Sequence, residues 1–182
     1  MKKLLLIFFI LPGFCIAQKD TAISFTDIVK VDSTSKDVLF QRARDWFNNT
    51  FRNSKEVLQI QDKETCEISG KGIFSSYVKH STLGVDNSYN NDFRFQITIW
   101  VKDGKYKYSL TDIDNYRAGD NNQWIAFGII TSSDHTEKKL SMIRQKKMDE
   151  YYMAAKNGAI KEATGIILLL KEAMKKNASA DF

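Results

Sequence analysis

The clearest pattern in the chain runs from Phe93 to Val101. Phe93, Phe95, Ile97, Ile99 and Val101 take every second position, and Arg94, Gln96, Thr98, Trp100 and Lys102 fill the gaps. A two-residue period puts one set on each face of a strand. Asp103-Gly104 follows, a pair that favours positive φ in a tight hairpin, and Tyr106, Tyr108 and Leu110 continue the apolar face on the return strand. Earlier, Ile23, Phe25, Val29 and Val31 share a face, interrupted by Asp27, which predicts a first strand ended by Asp32-Ser33-Thr34-Ser35. From Lys36 to about Phe51 the apolar residues Leu39, Phe40, Ala43, Trp46, Phe47 and Phe51 recur three or four apart, the signature of an amphipathic helix with an aromatic buried face. Val57 to Gln61 and Glu67 to Val78 predict a hairpin around Asp62-Lys63-Glu64-Thr65, in which Gly70 and Gly72 permit a bulge or bend.

The polar stretches His80 to Asn91 and Asp112 to Gln123 read as loops, and Trp124 to Ile130 is a short apolar element of no assignable type. From about Asp134 the period is helical. Leu140, Ile143, Met148, Tyr151, Ala154 and Ala155 form one stripe, and Ile160, Ala163, Ile167, Leu170 and Met174 form a second. Asn157-Gly158 between them is a place for a break or kink. Strand, helix, about four strands and a C-terminal helix, without internal repeat, make an α+β domain with helices covering one face of an antiparallel sheet.

The first residues have a different character. Met1-Lys2-Lys3 is basic, Leu4 to Phe14 is apolar, and Cys15-Ile16-Ala17 sets small residues three and one before Gln18. This spacing predicts a secretory signal peptide cleaved after Ala17, and hence export to the periplasm or beyond. The apolar run falls short of the roughly 20 residues of a membrane-spanning helix. Lipidation at Cys15 is disfavoured because Phe14 stands where that processing needs a small side chain. The predicted organisation is a signal peptide at 1–17, one domain at 18–177 and a disordered tail at 178–182. No integral membrane segment remains after cleavage.

Cleavage changes the composition. Of 182 residues 165 remain, the loss of Lys2 and Lys3 lowers the formal charge from +5 to +3, and the sole proline and one of two cysteines go. That length suits one domain, not a multidomain enzyme, and Cys66 alone forms no intramolecular disulfide. It is expected to act as a buried small hydrophobe.

Ser35-Lys36-Asp37-Val38-Leu39-Phe40, with Arg42, Trp46, Phe47 and Phe51, leads to Ser54-Lys55-Glu56-Val57-Leu58-Gln59, Asp62-Lys63-Glu64 and Ile68-Ser69-Gly70-Lys71-Gly72. These segments resemble a family of exported Bacteroidetes-type proteins, the domain of unknown function 4468 family, over about residues 25 to 110. Cys66 stands in a turn where that pattern suggests a small residue such as Gly. The resemblance implies a TBP-like fold of order β-α-β(4)-α, a curved antiparallel sheet with helices on its convex face. It implies no activity, since fold does not fix function.

A minor-groove DNA binder of that fold needs two repeats, apolar wedges on the open face and many phosphate contacts. One copy with a charge of +3 argues against a nucleic-acid partner. The face opposite the core is expected to carry Gln59, Ser69, Lys71, Arg94, Gln96, Thr98, Lys105, Lys107, Ser109 and Thr111, with Trp100 its sole large aromatic. Arg94, Trp100, Lys105 and Lys107, with Lys102, are the candidate ligand-binding residues: a stacking platform with a basic rim for an acidic or glycan-like ligand. The competing reading is a solvated face whose lysines discourage edge-to-edge aggregation.

His80, His135 and Cys66 show no metal-ligand spacing, so neither metal nor cofactor is expected. Asp112, Asp114, Asn115 and Asp120 crowd oxygens together, but Tyr116 and Arg117 spoil a calcium loop. Glu64 with Glu67 and Asp112 with Asp114 read as solvated charges rather than catalytic pairs, and no nucleophile or phosphate-loop motif occurs. The expectation is a non-catalytic exported module that binds an envelope protein or ligand, with possible self-association through the C-terminal helix. The alternative is a periplasmic enzyme whose site assembles loop carboxylates with a histidine such as His80 or His135.

Overall fold

The computed structural model describes residues 20–51, 57–82, 85–120 and 123–175, without the side chains of residues 78–89 and 120–124. The predicted signal peptide and the tail at 178–182 lie outside the described residues. The order is β1 (Phe25–Lys30), α1 (Lys36–Thr50), β2 (Leu58–Asp62), β3 (Glu67–Thr82), β4 (Val85–Lys102), β5 (Lys105–Asp120), β6 (Gln123–Ile125), β7 (Gly128–Ile129) and α2 (Gln145–Lys175). The strands form one antiparallel sheet in the spatial order β1-β5-β4-β3-β2, with β6 and β7 also paired to β5. The α+β class holds, and among the described residues the strands between α1 and α2 number six rather than about four because β6 and β7 are added.

Both helices pack on one face of the sheet. Ile68 of β3, Phe93, Phe95, Ile97, Ile99 and Val101 of β4 and Tyr106, Tyr108 and Leu110 of β5 meet Leu39, Ala43 and Phe47 of α1 and Met148, Ala155, Ala163 and Leu170 of α2, all buried. Ser35 caps α1 by accepting from the Val38 N–H at 3.4 Å. Asp27, which interrupts the apolar face of β1, reaches α2 instead, with Lys171 Nζ donating to its carboxylate at 2.9 Å.

Five expectations need correction. Residues 80–82 and 85–91 are strand, not loop, with backbone register running from His80↔Asn87 to Thr82↔Val85 at the hairpin tip. The stretch from Asp112 to Asp120 belongs to β5, where Asp112 adopts φ 54° and the register shifts between Arg94 and Gln96. The helix begins at Gln145, because residues 134–144 make side-chain-capped turns. It then continues through Gly158 without a break, since that glycine serves a close approach: a Cβ there would run into the Ser76 side chain. Gly70 and Gly72 act in the same way. A Cβ on Gly70 would lie 2.7 Å from the Val57 carbonyl oxygen, and one on Gly72 2.5 Å from Phe95 Cζ. The irregularity of that hairpin lies in β2 instead, between Leu58 and Ile60.

Candidate functional site on the open sheet face

Register decides which side chains stand together on the face opposite the helices. One cross-strand row consists of Glu67, Trp100, Lys107 and Ile28, from β3, β4, β5 and β1. The next row, at the end of the sheet, is Lys102, Lys105 and Lys30. Residues directly opposite share a face with Cβ atoms about 4.5–5.5 Å apart. Three ammonium groups thus stand abreast with a fourth one row behind, and all four lysines are exposed. Like charges directly opposite repel, and none of the four makes an ion pair among the described residues.

The β4–β5 turn holds this end of the sheet in place. Gly104 adopts φ 71°, its N–H donates to the Thr34 carbonyl at 2.9 Å, and its carbonyl accepts from the Val31 N–H at 2.8 Å. Asp103, the acid nearest in sequence, is turned to the Lys36 N–H at 2.7 Å and caps α1 from outside. Between the lysines lies a hollow of about 190 Å³ lined by Ile28, Trp100, Lys102, Lys105, Tyr106 and Lys107. The indole N–H of Trp100 donates to Glu67 Oε2 at 2.9 Å, and Lys107 Nζ stands 5.1 Å from the centroid of its ring. Trp100 is therefore a half-buried wall that steers Lys107, with one ring face already taken, rather than an open stacking platform. Burial pushes the Tyr106 phenol above its ordinary range, with Tyr108 and Asp27 adding to the shift, and its hydroxyl is sealed in the core.

Lys102, Lys105, Lys107 and Trp100, all named from the sequence, come together. Arg94 does not. It stands six residues up β4, about 20 Å away, where its guanidinium donates to Asp114 at 2.8 Å and lies 4.7 Å from the centroid of the Tyr116 ring. Sequence reasoning missed Lys30 and Ile28, because β1 and β5 are far apart in the chain and only their pairing brings these residues in. Trp100 is not the only aromatic on this face, since Tyr77 is 74% exposed there. Ile60, not Gln59, stands opposite Ser69, a consequence of the β2 bulge. Two of the acids weighed as catalytic pairs or calcium ligands are committed elsewhere, and the side chain of Asp120 lies outside the described residues. Glu67 binds Trp100, Asp114 binds Arg94, and Asn115 is wholly buried, with Oδ1 accepting from the Phe127 N–H at 3.1 Å. Among the described residues no cluster of His, Cys, Asp and Glu fits a metal ion.

A second concave region lies across the molecule from β7 to the segment before α2. It is an open groove of about 510 Å³ whose lining includes Asp20, Phe127, Thr131, His135, Glu137 and Tyr152. His135 Nδ1 lies 3.2 Å from Asp149 Oδ2, and Asp149 Oδ1 accepts from the Thr136 N–H at 3.0 Å. That N–H, then Gln145 and His135, hold the Asp149 carboxyl below its usual range. A carboxylate so placed orients an imidazole, but among the described residues no hydroxyl stands at hydrogen-bond distance from the His135 ring. The side chain of His80 lies outside the described residues. Cys66 is buried in the β2–β3 turn at φ 56°, a left-handed conformation that glycine adopts more readily than an L-residue.

No helix among the described residues is long and apolar enough to cross a membrane. No curated protein matches this chain. Two solved structures share its fold. One is a DUF4468 family protein from Bacteroides ovatus ATCC 8483, 12% identical, with a TM-score of 0.59 over 87% of this chain and 89% of that one. The other is a TBP-like protein from Parabacteroides distasonis ATCC 8503, 11% identical, with a TM-score of 0.54 over 82% of this chain and 93% of that one. The family model for the domain of unknown function (DUF4468) with TBP-like fold matches residues 25–116, from β1 into β5 and so across the lysine site, and the chain belongs to that family.

Proposed function

We propose that this protein is an exported, non-catalytic binding module of the cell envelope, and that the lysine end of its open sheet face docks an anionic ligand. The observation that carries the reading is the register that sets Lys30, Lys105 and Lys102 abreast, with Lys107 behind them and no ion pair among the described residues. Protection against edge pairing accounts for Lys30 on the edge strand β1. It does not account for Lys102 and Lys105, which sit on the interior strands β4 and β5. A bound anion removes the mutual repulsion of the row.

Calorimetric titration with polyglutamate and with polyphosphate tests this. Binding that weakens with salt, and about tenfold in Lys102→Gln/Lys105→Gln, is the expected result. If neither polymer binds, the reading is abandoned. Export is tested by intact-mass measurement of the secreted protein, which should begin at Gln18. A species beginning at Met1, or carrying acyl chains, would overturn that part.

The exposed Leu168 and Leu169 of α2 support self-association as a second property of the module. Sedimentation of wild type against Leu168→Glu/Leu169→Glu decides it, and a monomer in both removes the idea. The enzyme alternative draws on one observation, the His135–Asp149 pair beside the groove. If His135→Ala leaves unchanged every hydrolytic activity found in the purified protein, that alternative is discarded.

A further inference from the structure

The hollow at the lysine end has a lining of unusual chemistry. Every polar side chain that faces it freely is an ammonium group, from Lys102, Lys105 and Lys107, with Lys30 beside them in register. The two other polar groups of the lining are turned away. The Trp100 indole N–H is occupied by Glu67, and the Tyr106 hydroxyl is buried in the core. Lysine offers donors and no acceptor. A neutral sugar needs both, together with an open aromatic face, and Lys107 already covers one face of Trp100. The ligand must therefore be rich in acceptors and more than singly charged, or most of the four cations stay unpaired.

We infer, resting on the binding-module reading above, that the hollow is a site for a phosphate monoester, carried by a lipid headgroup or by a soluble molecule. Such a group has three acceptor oxygens and a charge of about −1.5 to −2 at neutral pH. Three oxygens match three lysines drawn from two adjacent strands, and the fourth lysine offsets the remaining charge. The hollow has the volume of about six waters, enough for the phosphate and the first atoms of its carrier. The exposed Ile28 stands at its rim, where an apolar part of that carrier would rest.

The test is amide-resolved NMR titration of the exported protein with glycerol 1-phosphate and, separately, with sulfate. Shifts confined to residues 28–30 and 100–107 are expected. Affinity for the phosphate should fall about tenfold in Lys102→Gln/Lys105→Gln. It should also fall as the second phosphate charge is lost around pH 6, while weaker sulfate binding stays flat. Co-sedimentation with phosphatidylcholine vesicles, with and without phosphatidic acid, identifies the carrier. Retention by phosphatidic acid marks a lipid source, and binding of glycerol 1-phosphate without vesicle retention marks a soluble one. Equal affinity for sulfate and phosphate with no pH dependence overturns the phosphate assignment and leaves a general anion site. Binding of polyglutamate but not glycerol 1-phosphate does the same. No response to any of these anions overturns both readings.

Discussion

Trp100 and Glu67 stand opposite each other on β4 and β3, and the indole N–H donates to the Glu67 carboxylate at 2.9 Å. This contact keeps the one carboxylate of that cross-strand row on the far side of the ring from Lys107, so the positive end of the face is not neutralised from within. Glu67→Gln retains an acceptor for the indole and deletes the charge. Its stability in urea should stay within about 1 kcal/mol of wild type, while affinity for an anion at the lysine end rises. Glu67→Leu should cost more stability, because the half-buried indole N–H is left without its acceptor.

Gly104 decides whether the lysine row exists at all, since its turn sets Lys102 opposite Lys105 and docks on Thr34 and Val31. A Cβ would meet nothing within 4 Å, so the penalty of substitution is purely conformational. At φ 71° an L-residue pays about 1–2 kcal/mol. Gly104→Ala should lose that amount in chemical denaturation and weaken anion binding, whereas Gly104→Asn should lose less.

How far the sequence revealed all this depends on what sets each feature. The Phe93 to Val101 alternation and the α1 stripe were legible because burial of one face imposes a period on neighbouring residues. The second half of β5 was not, because the bulge at Asp112 moves the buried set from even positions (Tyr106, Tyr108, Leu110) to odd ones (Ile113, Asn115) and breaks the period. Residues 80–82 and 85–91 carry no apolar alternation, yet backbone pairing makes them strand. Of the site, Trp100, Lys105 and Lys107 lie on one hairpin and could be read locally. Lys30 and Ile28 arrive by the β1–β5 pairing, which joins strands separated by three others in the chain.

Acid should loosen the structure at identifiable places. Asp27 is held below the usual carboxylate range, chiefly by the hydrogen bond from Lys171, and Asp149 chiefly by the Thr136 N–H. A folded pKa below the unfolded one gives stability that is present above about pH 4. It is lost as pH falls through the folded value. Lys171, raised chiefly by Asp27, has the opposite sign, and its share is lost only as strongly alkaline pH passes its folded value. Thermal melts between pH 5 and pH 2 should fall less steeply for Asp27→Asn and Asp149→Asn than for wild type. Equal slopes would remove these two groups from the account.

Lys156 ties the segment before α2 to the helix. Its side chain is buried, and its ammonium donates to the carbonyls of Ser132 and Ser133, both at 2.8 Å, and to Asp134 Oδ1 at 2.9 Å. Three donors meet three acceptors, which is what makes a buried lysine tolerable. Lys156→Met keeps the packing and orphans the two carbonyls, at a cost of about 1–3 kcal/mol. Hydrogen exchange should quicken first at residues 131–134. The His135 groove should lose definition with them.

Gly158 and Ser76 allow the close packing of α2 on β3 to be measured as a coupling. Within a helix, Gly→Ala is ordinarily favourable by about 1 kcal/mol, so on propensity alone Gly158→Ala should stabilise. Here the new Cβ meets the Ser76 side chain, including its Cβ at 2.9 Å, and overpacking of this kind costs about 1–3 kcal/mol. Ser76 is itself buried in the interior of β3 and has little room to give. The single variant should therefore be less stable than wild type despite its better propensity. Ser76→Gly removes the obstructing atoms at the cost of a glycine in a strand. In the double variant the helix gain should reappear, so that urea denaturation yields a favourable coupling of at least about 1 kcal/mol. Additive effects would mean that the helix and sheet are not held together at this point.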